Sequence, residues 1–180
     1  MGKSLDYWKK NKNQKIEKNT DSLEIKNKDI EKASEIQKNF EENLGKLDLS
    51  SKEKLVETFP LLWNSEKKFK KHIETRLKYN VIDKNQPKED YLRKTFETLE
   101  KSVNIIYEKP KKNAPRDWHK IIYNKESQWV VIIGENGKII TSFPLNETYK
   151  EYLRNQENYY ELYSFKKQEN DQYKRILKTL

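Results

Sequence analysis

The residues best suited to chemistry in this chain are two histidines, each close to a second basic residue. His72 lies four residues before Arg76 in KKHIETRL, and His119 directly precedes Lys120 in WHKIIYN. Histidine has an unperturbed pKa of about 6.5, so it can accept or donate a proton near neutral pH. Arginine presents a planar fork of donors that fits phosphate oxygens. These residue types suit metal-free RNA cleavage, in which a base takes the 2′-hydroxyl proton and cations stabilise the phosphorane.

A helix is predicted to carry the first of these histidines. Asn64 or Ser65 can cap its N-terminus. Apolar residues then recur at helical spacing, at Phe69, Ile73 and Leu77. Residues four apart are neighbours on a helix surface, so His72 and Arg76 can address one phosphate. The alternative is an ordinary pair on a solvated basic helix.

The chain lacks the residues and motifs that several other kinds of chemistry require. The chain has no cysteine and only 4 glycines, and it contains no HExxH, paired-Asp, P-loop, GxGxxG or GxSxG motif. These absences argue against thiolate metal sites, zinc proteases, nucleotide-binding loops and serine hydrolases. We therefore expect neither a metal nor a cofactor. No apolar run approaches the roughly 20 residues of a membrane span, and the N-terminus lacks the apolar core of a signal peptide.

The second half of the chain is predicted to form a small antiparallel sheet. Four short segments are β-branched and aromatic, VNIIYE, WHKIIY, WVVII and KIITSF. Asn136-Gly137 between the last two predicts a tight hairpin, and the uniformly apolar WVVII predicts a strand covered on both faces.

Alternation along these strands decides which side chains lie together. On the second strand it puts His119 and Tyr123 on one face and Trp118 and Lys120 on the other. Thr141 and Ser142 on the last strand likewise point to opposite faces. Trp118 and Tyr123 can stack RNA bases, or they can be ordinary sheet residues.

The predicted fold class is α+β, with N-terminal helices, a meander of about four strands and a C-terminal helix from Asn146 onward. Residues 1–50 read as a helical extension and residues 51–180 as the main domain, with its core at 66–145. The extension has two seams with a seven-residue repeat, at Leu23, Ile30, Gln37 and Leu44 and at Lys26, Ala33, Phe40 and Leu47. These seams favour either packing on the chain's own domain or a docking arm that binds a partner.

The net charge of +9 is concentrated in the middle of the chain. Residues 51–150 contain 21 basic and 14 acidic residues, and so carry seven of the nine net charges. A basic region that coincides with the aromatic-rich segments favours a polyanionic partner such as nucleic acid. A lysine-rich coding bias is the alternative explanation.

Taken together, these motifs resemble the phage- and toxin-associated nucleases of the superfamily that includes barnase, colicin D and RelE. The resemblance rests on FKKHIETRL, VNIIYEKP, WHKIIYN and WVVIIGENGKIITSFP, and so covers about residues 66 to 145. It implies a metal-independent ribonuclease, often directed at tRNA or other structured RNA and often restrained by an immunity protein or antitoxin. It also implies action in the cytoplasm, after delivery from another cell or expression from a mobile element.

The resemblance also implies roles for particular residues. His72 matches the helix histidine of proton transfer, Arg76 its phosphate-binding partner, Lys120 or His119 the polar position of the second strand, and Thr141 the hydroxyl of the last strand. The predicted catalytic residues are therefore His72, Arg76, Lys120 and Thr141, and the predicted substrate-binding residues are Lys71, Trp118, His119, Tyr123 and Ser142. The alternative functions are a non-catalytic basic module that binds nucleic acid and a protein-interaction module built on residues 1–50.

Overall fold

The computed structural model describes residues 20–112, 116–167 and 169–180, with side chains from residue 27 onward. The helices in these residues are α1 (Thr20–Leu44), α2 (Lys52–Thr58), a 3₁₀-helix (Phe59–Leu62), α3 (Glu66–Lys78), α4 (Pro87–Lys101), α5 (Tyr149–Gln156) and α6 (Asp171–Thr179). The strands are β1 (Asn104–Pro110), β2 (His119–Asn124), β3 (Trp129–Gly134), β4 (Ile139–Pro144) and β5 (Tyr160–Lys166).

The strands form one antiparallel sheet in the order β4-β3-β2-β1-β5. Strand β3 is buried at all six positions, as its unbroken apolar sequence predicts. The hairpin between β3 and β4 turns at Gly137, whose φ of 73° is the left-handed conformation that glycine adopts readily. The α+β prediction is confirmed.

Each face of the sheet carries its own hydrophobic core. The larger core joins one face to the helices, and its fully buried residues include Phe40, Phe59, Phe96 and Val131. The smaller core lies on the other face, around Ile121, Val130 and Leu153, with Leu153 contributed by α5. Below, these two surfaces of the sheet are called the helix face and the α5 face.

The helix boundaries follow local signals in the sequence. Ser51 and Ser65 cap α2 and α3, since each side chain accepts a hydrogen bond from a backbone amide three residues later. Pro87 opens α4, where its missing N–H costs no hydrogen bond. Pro60 interrupts the helical path after α2 and lies within the single 3₁₀ turn of Phe59–Leu62.

The number of strands differs from the prediction, since the sheet has five strands rather than about four. The tail after Asn146 is not continuously helical, because α5 ends at Gln156 and β5 follows. Seven residues of β5 pair with β1, from Asn104 with Lys166 to Pro110 with Tyr160, so the paired residues are at least 50 positions apart in the chain. Tyrosine and phenylalanine favour strands, and the non-local pairing with β1 gives this tyrosine-rich segment its place in the sheet.

Helix α1 is part of the main core. Phe40 has no exposed surface, and Ala33, Leu44 and Leu47 are also buried in the helix-face core. The seam therefore packs on the chain's own domain at these positions, and residue 50 does not separate two cores. The seam positions Leu23 and Lys26 lie outside the described side chains, and the N-terminal 19 residues lie outside the described residues.

None of the helices in the described ranges is long and apolar enough to cross a bilayer.

Candidate active site

Helix α3 brings the His72–Arg76 pair to the outer edge of β4, which is one of the two edge strands of the sheet. The Arg76 Nε donates a hydrogen bond to the Ser142 carbonyl at 3.0 Å. The His72 ring packs on the Trp63 ring, with 4.7 Å between centroids. Trp63 in turn forms an isolated parallel β-bridge with Ile139 at the start of β4. The two basic side chains thus flank the part of β4 that carries Thr141.

His72 is half-buried, and its surroundings disfavour the imidazolium form. Burial lowers its pKa below the usual 6.5, and the positive charges of Arg76, Lys68 and Lys71 lower it further. At neutral pH the ring is therefore mostly uncharged, with a nitrogen lone pair that can accept a proton.

The same helix carries a dense set of surface cations. Five lysines of α3 are exposed to solvent, Lys67, Lys68, Lys70, Lys71 and Lys78. Glu66 pairs with Lys70 at 3.7 Å, at an exposed position where such a pair is worth little. A polyanion that approaches His72 therefore meets a positive surface first.

Ser142 and Thr141 differ sharply in their surroundings. The Ser142 hydroxyl accepts a hydrogen bond from Trp129 Nε1 at 2.7 Å and lies 2.8 Å from the Thr95 hydroxyl. The contact with Thr95 joins the sheet to α4. Ser142 has no exposed surface, so it does not meet a substrate in this arrangement. Thr141, half-buried, pairs with Ile132 on the α5 face.

A second polar cluster lies on the α5 face, around His119. Glu108 and His119 are directly opposite each other on β1 and β2, so their side chains share that face. The Tyr160 hydroxyl lies 3.4 Å from His119 Nδ1, and the Arg116 guanidinium lies 5.9 Å from the Tyr160 ring centre. Burial lowers the pKa of His119 below its usual value, with the charge of Asp117 opposing that shift.

Glu108 is the most unusual residue of this second cluster. It has no exposed surface, and neither carboxyl oxygen has a hydrogen-bond partner among the described residues. Burial raises its pKa to about 8, although Arg116 opposes the shift. Glu108, Arg116 and Tyr160 were not among the residues predicted from the sequence. The available signal was the alternation in NIIYE, which puts Glu108 on the same face as the apolar Ile106.

Lys120 lies on the helix face, away from both histidines. It is 2% exposed, and its amine donates a hydrogen bond to the Gln37 side-chain oxygen. The ring centres of Phe40 and Tyr107 lie 6.0 and 5.9 Å from the Lys120 Nζ. Burial lowers its pKa to about 7. Trp118, also buried, belongs to the same helix-face core.

The nine predicted site residues therefore do not form one cleft. His72, Arg76 and Lys71 lie on α3 beside β4, with Thr141 on the strand they flank. His119 and Tyr123 lie on the α5 face, where the Tyr123 ring stacks on Tyr149 at 4.1 Å. Lys120, Trp118 and Ser142 are buried on the helix face. No group of three acidic or histidine side chains in the described ranges is placed to hold a metal ion.

Comparison with known proteins shows which family the chain belongs to. Residues 53–179 match the family described as "Uncharacterised protein aq_aa01", and the chain is a member of that family. Over 70 residues it is 44% identical to the "Uncharacterized protein aq_aa01" of Aquifex aeolicus (strain VF5). That alignment covers 38% of this chain and 47% of the relative, so the chain spans about half of the relative's length. No solved structure matches the chain.

Proposed function

We propose that the chain is a metal-independent endoribonuclease whose active site lies between α3 and the outer edge of β4. The observation that carries the proposal is the placement of His72 and Arg76, one helical turn apart beside the strand segment that contains Thr141. The five exposed lysines of the same helix support a polyanionic substrate. The substrate is RNA, with tRNA or another structured RNA as the first to test.

In the proposed reaction His72 acts as the general base. Its neutral ring takes the proton of a ribose 2′-hydroxyl, and the 2′-oxygen then attacks the adjacent phosphorus. The bond from phosphorus to the 5′-oxygen breaks, and solvent protonates the leaving oxygen. The products are a 2′,3′-cyclic phosphate and a free 5′-hydroxyl.

Arg76 and Thr141 bind the phosphate in this scheme. Nε of Arg76 is held by the Ser142 carbonyl, so the terminal guanidinium nitrogens meet the phosphate oxygens. This hydrogen bond fixes the direction of the guanidinium, which reduces the reorganisation needed in the transition state. The Thr141 hydroxyl donates to a phosphate oxygen, and Lys71 binds a neighbouring phosphate.

The proposal also carries expectations about the cell. The site of action would be the cytoplasm, where tRNA is found, whether the protein is delivered from another cell or encoded by a mobile element. An immunity protein or antitoxin that covers α3 would need an acidic surface, because α3 exposes five lysines.

The central experiment compares the wild type with His72→Ala on total tRNA in the presence of EDTA. Loss of the base should slow cleavage by roughly 10²- to 10⁴-fold. End-group analysis of the wild-type products should detect cyclic phosphates. Acidification should reduce the wild-type rate, with the midpoint below pH 6.5, because the lowered pKa keeps His72 neutral down to that range.

A matched control and a rival site sharpen this experiment. Glu74→Ala removes an exposed side chain from the same helix and should leave the rate unchanged. His119→Ala tests the cluster on the α5 face. Full activity in His72→Ala, combined with lost activity in His119→Ala, would contradict the proposed site.

The second candidate function is a non-catalytic RNA-binding module, which the exposed lysines of α3 also favour. It predicts that His72→Ala binds RNA like the wild type and that neither protein cleaves it. The affinity of a basic module for RNA falls as salt concentration rises. Neutralising Lys70 and Lys71 should make the plot of log association constant against log salt concentration less steep, by about 0.7 for each single-strand phosphate that the variant no longer neutralises. Cleavage by the wild type in EDTA would contradict this alternative.

A further inference from the structure

A cavity of about 440 Å³ opens between α1, the sheet and α6, far from the edge where His72 lies. Its wall is mainly apolar, with Ile30 and Ala33 from α1, Ile105 and Ile122 from the sheet, and Phe165 from β5. Its size falls within the range of small-molecule sites, which is roughly 300–1,000 Å³.

Lys120 gives this apolar cavity a buried amine that is charged when it is protonated. The residue lines the cavity but is only 2% exposed. Its hydrogen-bond partner among the described residues is the neutral side chain of Gln37. Glu41 favours the charged form of Lys120, yet the two side chains form no ion pair in the part of the chain that the structure describes.

A buried ammonium without a paired carboxylate is costly, and burial accordingly lowers the pKa of Lys120 to about 7. A ligand that brings a negative charge would offset that cost and restore the charged form. An ammonium offers three N–H donors, more than one amide oxygen normally uses. Two exposed lysines stand at the rim, Lys38 and Lys166, against the carboxylates of Glu41 and Glu169. Lys167 also lines the cavity, but it pairs with Glu100 at 3.7 Å. The lining is therefore apolar, with a net positive charge.

We infer that this cavity binds a small carboxylic acid with an apolar body, whose carboxylate pairs with the Lys120 ammonium. The aliphatic or aromatic body of the ligand fills the space between Ile30, Ala33 and Phe165. This site is separate from the proposed ribonuclease site and does not depend on it.

Titration calorimetry of the full chain tests the inference. Octanoate is the probe, and octan-1-ol is the uncharged control with the same number of carbon atoms. Octanoate should bind the wild type at least tenfold more tightly than octan-1-ol. Lys120→Met keeps an unbranched apolar side chain and removes the charge. It should weaken octanoate binding at least tenfold and leave octan-1-ol binding unchanged.

Two further variants test whether binding depends on the space in the cavity and on the charges at its rim. Ala33→Trp fills the cavity from α1 and leaves Lys120 in place, so binding of both probes should be lost. Lys166→Met removes a rim charge and should change octanoate affinity by less than threefold. Ala33→Trp also tests the site if Lys120→Met does not fold. Absent octanoate binding to the wild type, or equal octanoate binding in all variants, would overturn the inference.

Discussion

At the residue scale, Glu108 combines full burial with a carboxyl group that lacks a hydrogen-bond partner among the described residues. Burial penalises the carboxylate, so the folded chain retains a proton on Glu108 up to about pH 8. The unfolded chain releases this proton near the ordinary value of 4.5. Between these two pH values the folded state binds more protons, and the free energy of unfolding therefore falls as the pH rises.

Glu108→Gln should remove this pH dependence, since the amide resembles the protonated acid in shape and carries no titrating proton. At pH 7 the variant should be more stable than the wild type by on the order of 3 kcal/mol, and at pH 4.5 the two should be similar. Urea unfolding at a series of pH values measures the difference.

Glu126→Gln is the matched control for this prediction, because Glu126 is exposed in the turn between β2 and β3. It should leave the pH dependence of stability as it is in the wild type. A Glu108→Gln variant with the wild-type pH profile would show that Glu108 is ionised in the folded protein.

At the element scale, the β3–β4 hairpin is fitted directly against the backbone of α1. A Cβ atom at Gly137 would lie 2.3 Å from the Asn39 carbonyl carbon and 2.4 Å from the Phe40 nitrogen. Asn43 of α1 secures this contact, because its side-chain amide donates to the carbonyls of Gly137 at 2.9 Å and Asn136 at 3.1 Å. The turn and the helix therefore hold each other in place.

Gly137→Ala should destabilise the protein by about 2 kcal/mol or more, because it adds a backbone clash to an unfavourable positive φ. Thermal and urea unfolding measure the loss. Gly134→Ala is the control in the same hairpin, since the closest neighbour of its Cβ would be the Ile140 side chain, at 3.3 Å. Equal stability of the two variants would contradict the close contact with α1.

At the scale of the whole molecule, α1 lies outside the region that matches the family yet contributes to the main core. Phe40 contacts the ring of Tyr173 on α6, at 6.3 Å between centroids, and also lies near Lys120. One helix therefore connects the sheet, the last helix and the cavity. We expect the described part of the chain to unfold as one cooperative unit.

Phe40→Ala tests this expectation and should cost about 3–5 kcal/mol, the usual range for a buried phenylalanine. Circular dichroism and tryptophan fluorescence should report one shared transition, shifted to lower urea concentration. Glu31→Ala, at an exposed position of α1, should leave the transition unchanged. Separate transitions for the two signals would show that α1 is an independent arm.

Local chemistry in the sequence was sufficient to predict most of the elements. Ser65, one of two candidate caps, marks a helix start, Asn136-Gly137 marks a hairpin, and the apolar run in β3 marks an inner strand. Each of these signals acts within a few residues. Alternation along β2 also separated His119 from Lys120 correctly. The placement of His72 and Arg76 one turn apart was predictable for the same reason, since both lie on one helix.

Only the tertiary structure decided which chemical groups meet. Strand β5 exists because it pairs with β1, and Lys120 is buried because α1 packs over it; both contacts join segments that are far apart in sequence. The cluster of Glu108, Arg116, His119 and Tyr160 likewise draws on three segments. Its unusual protonation comes from burial, a property of the assembled core that the order of residues does not specify by itself.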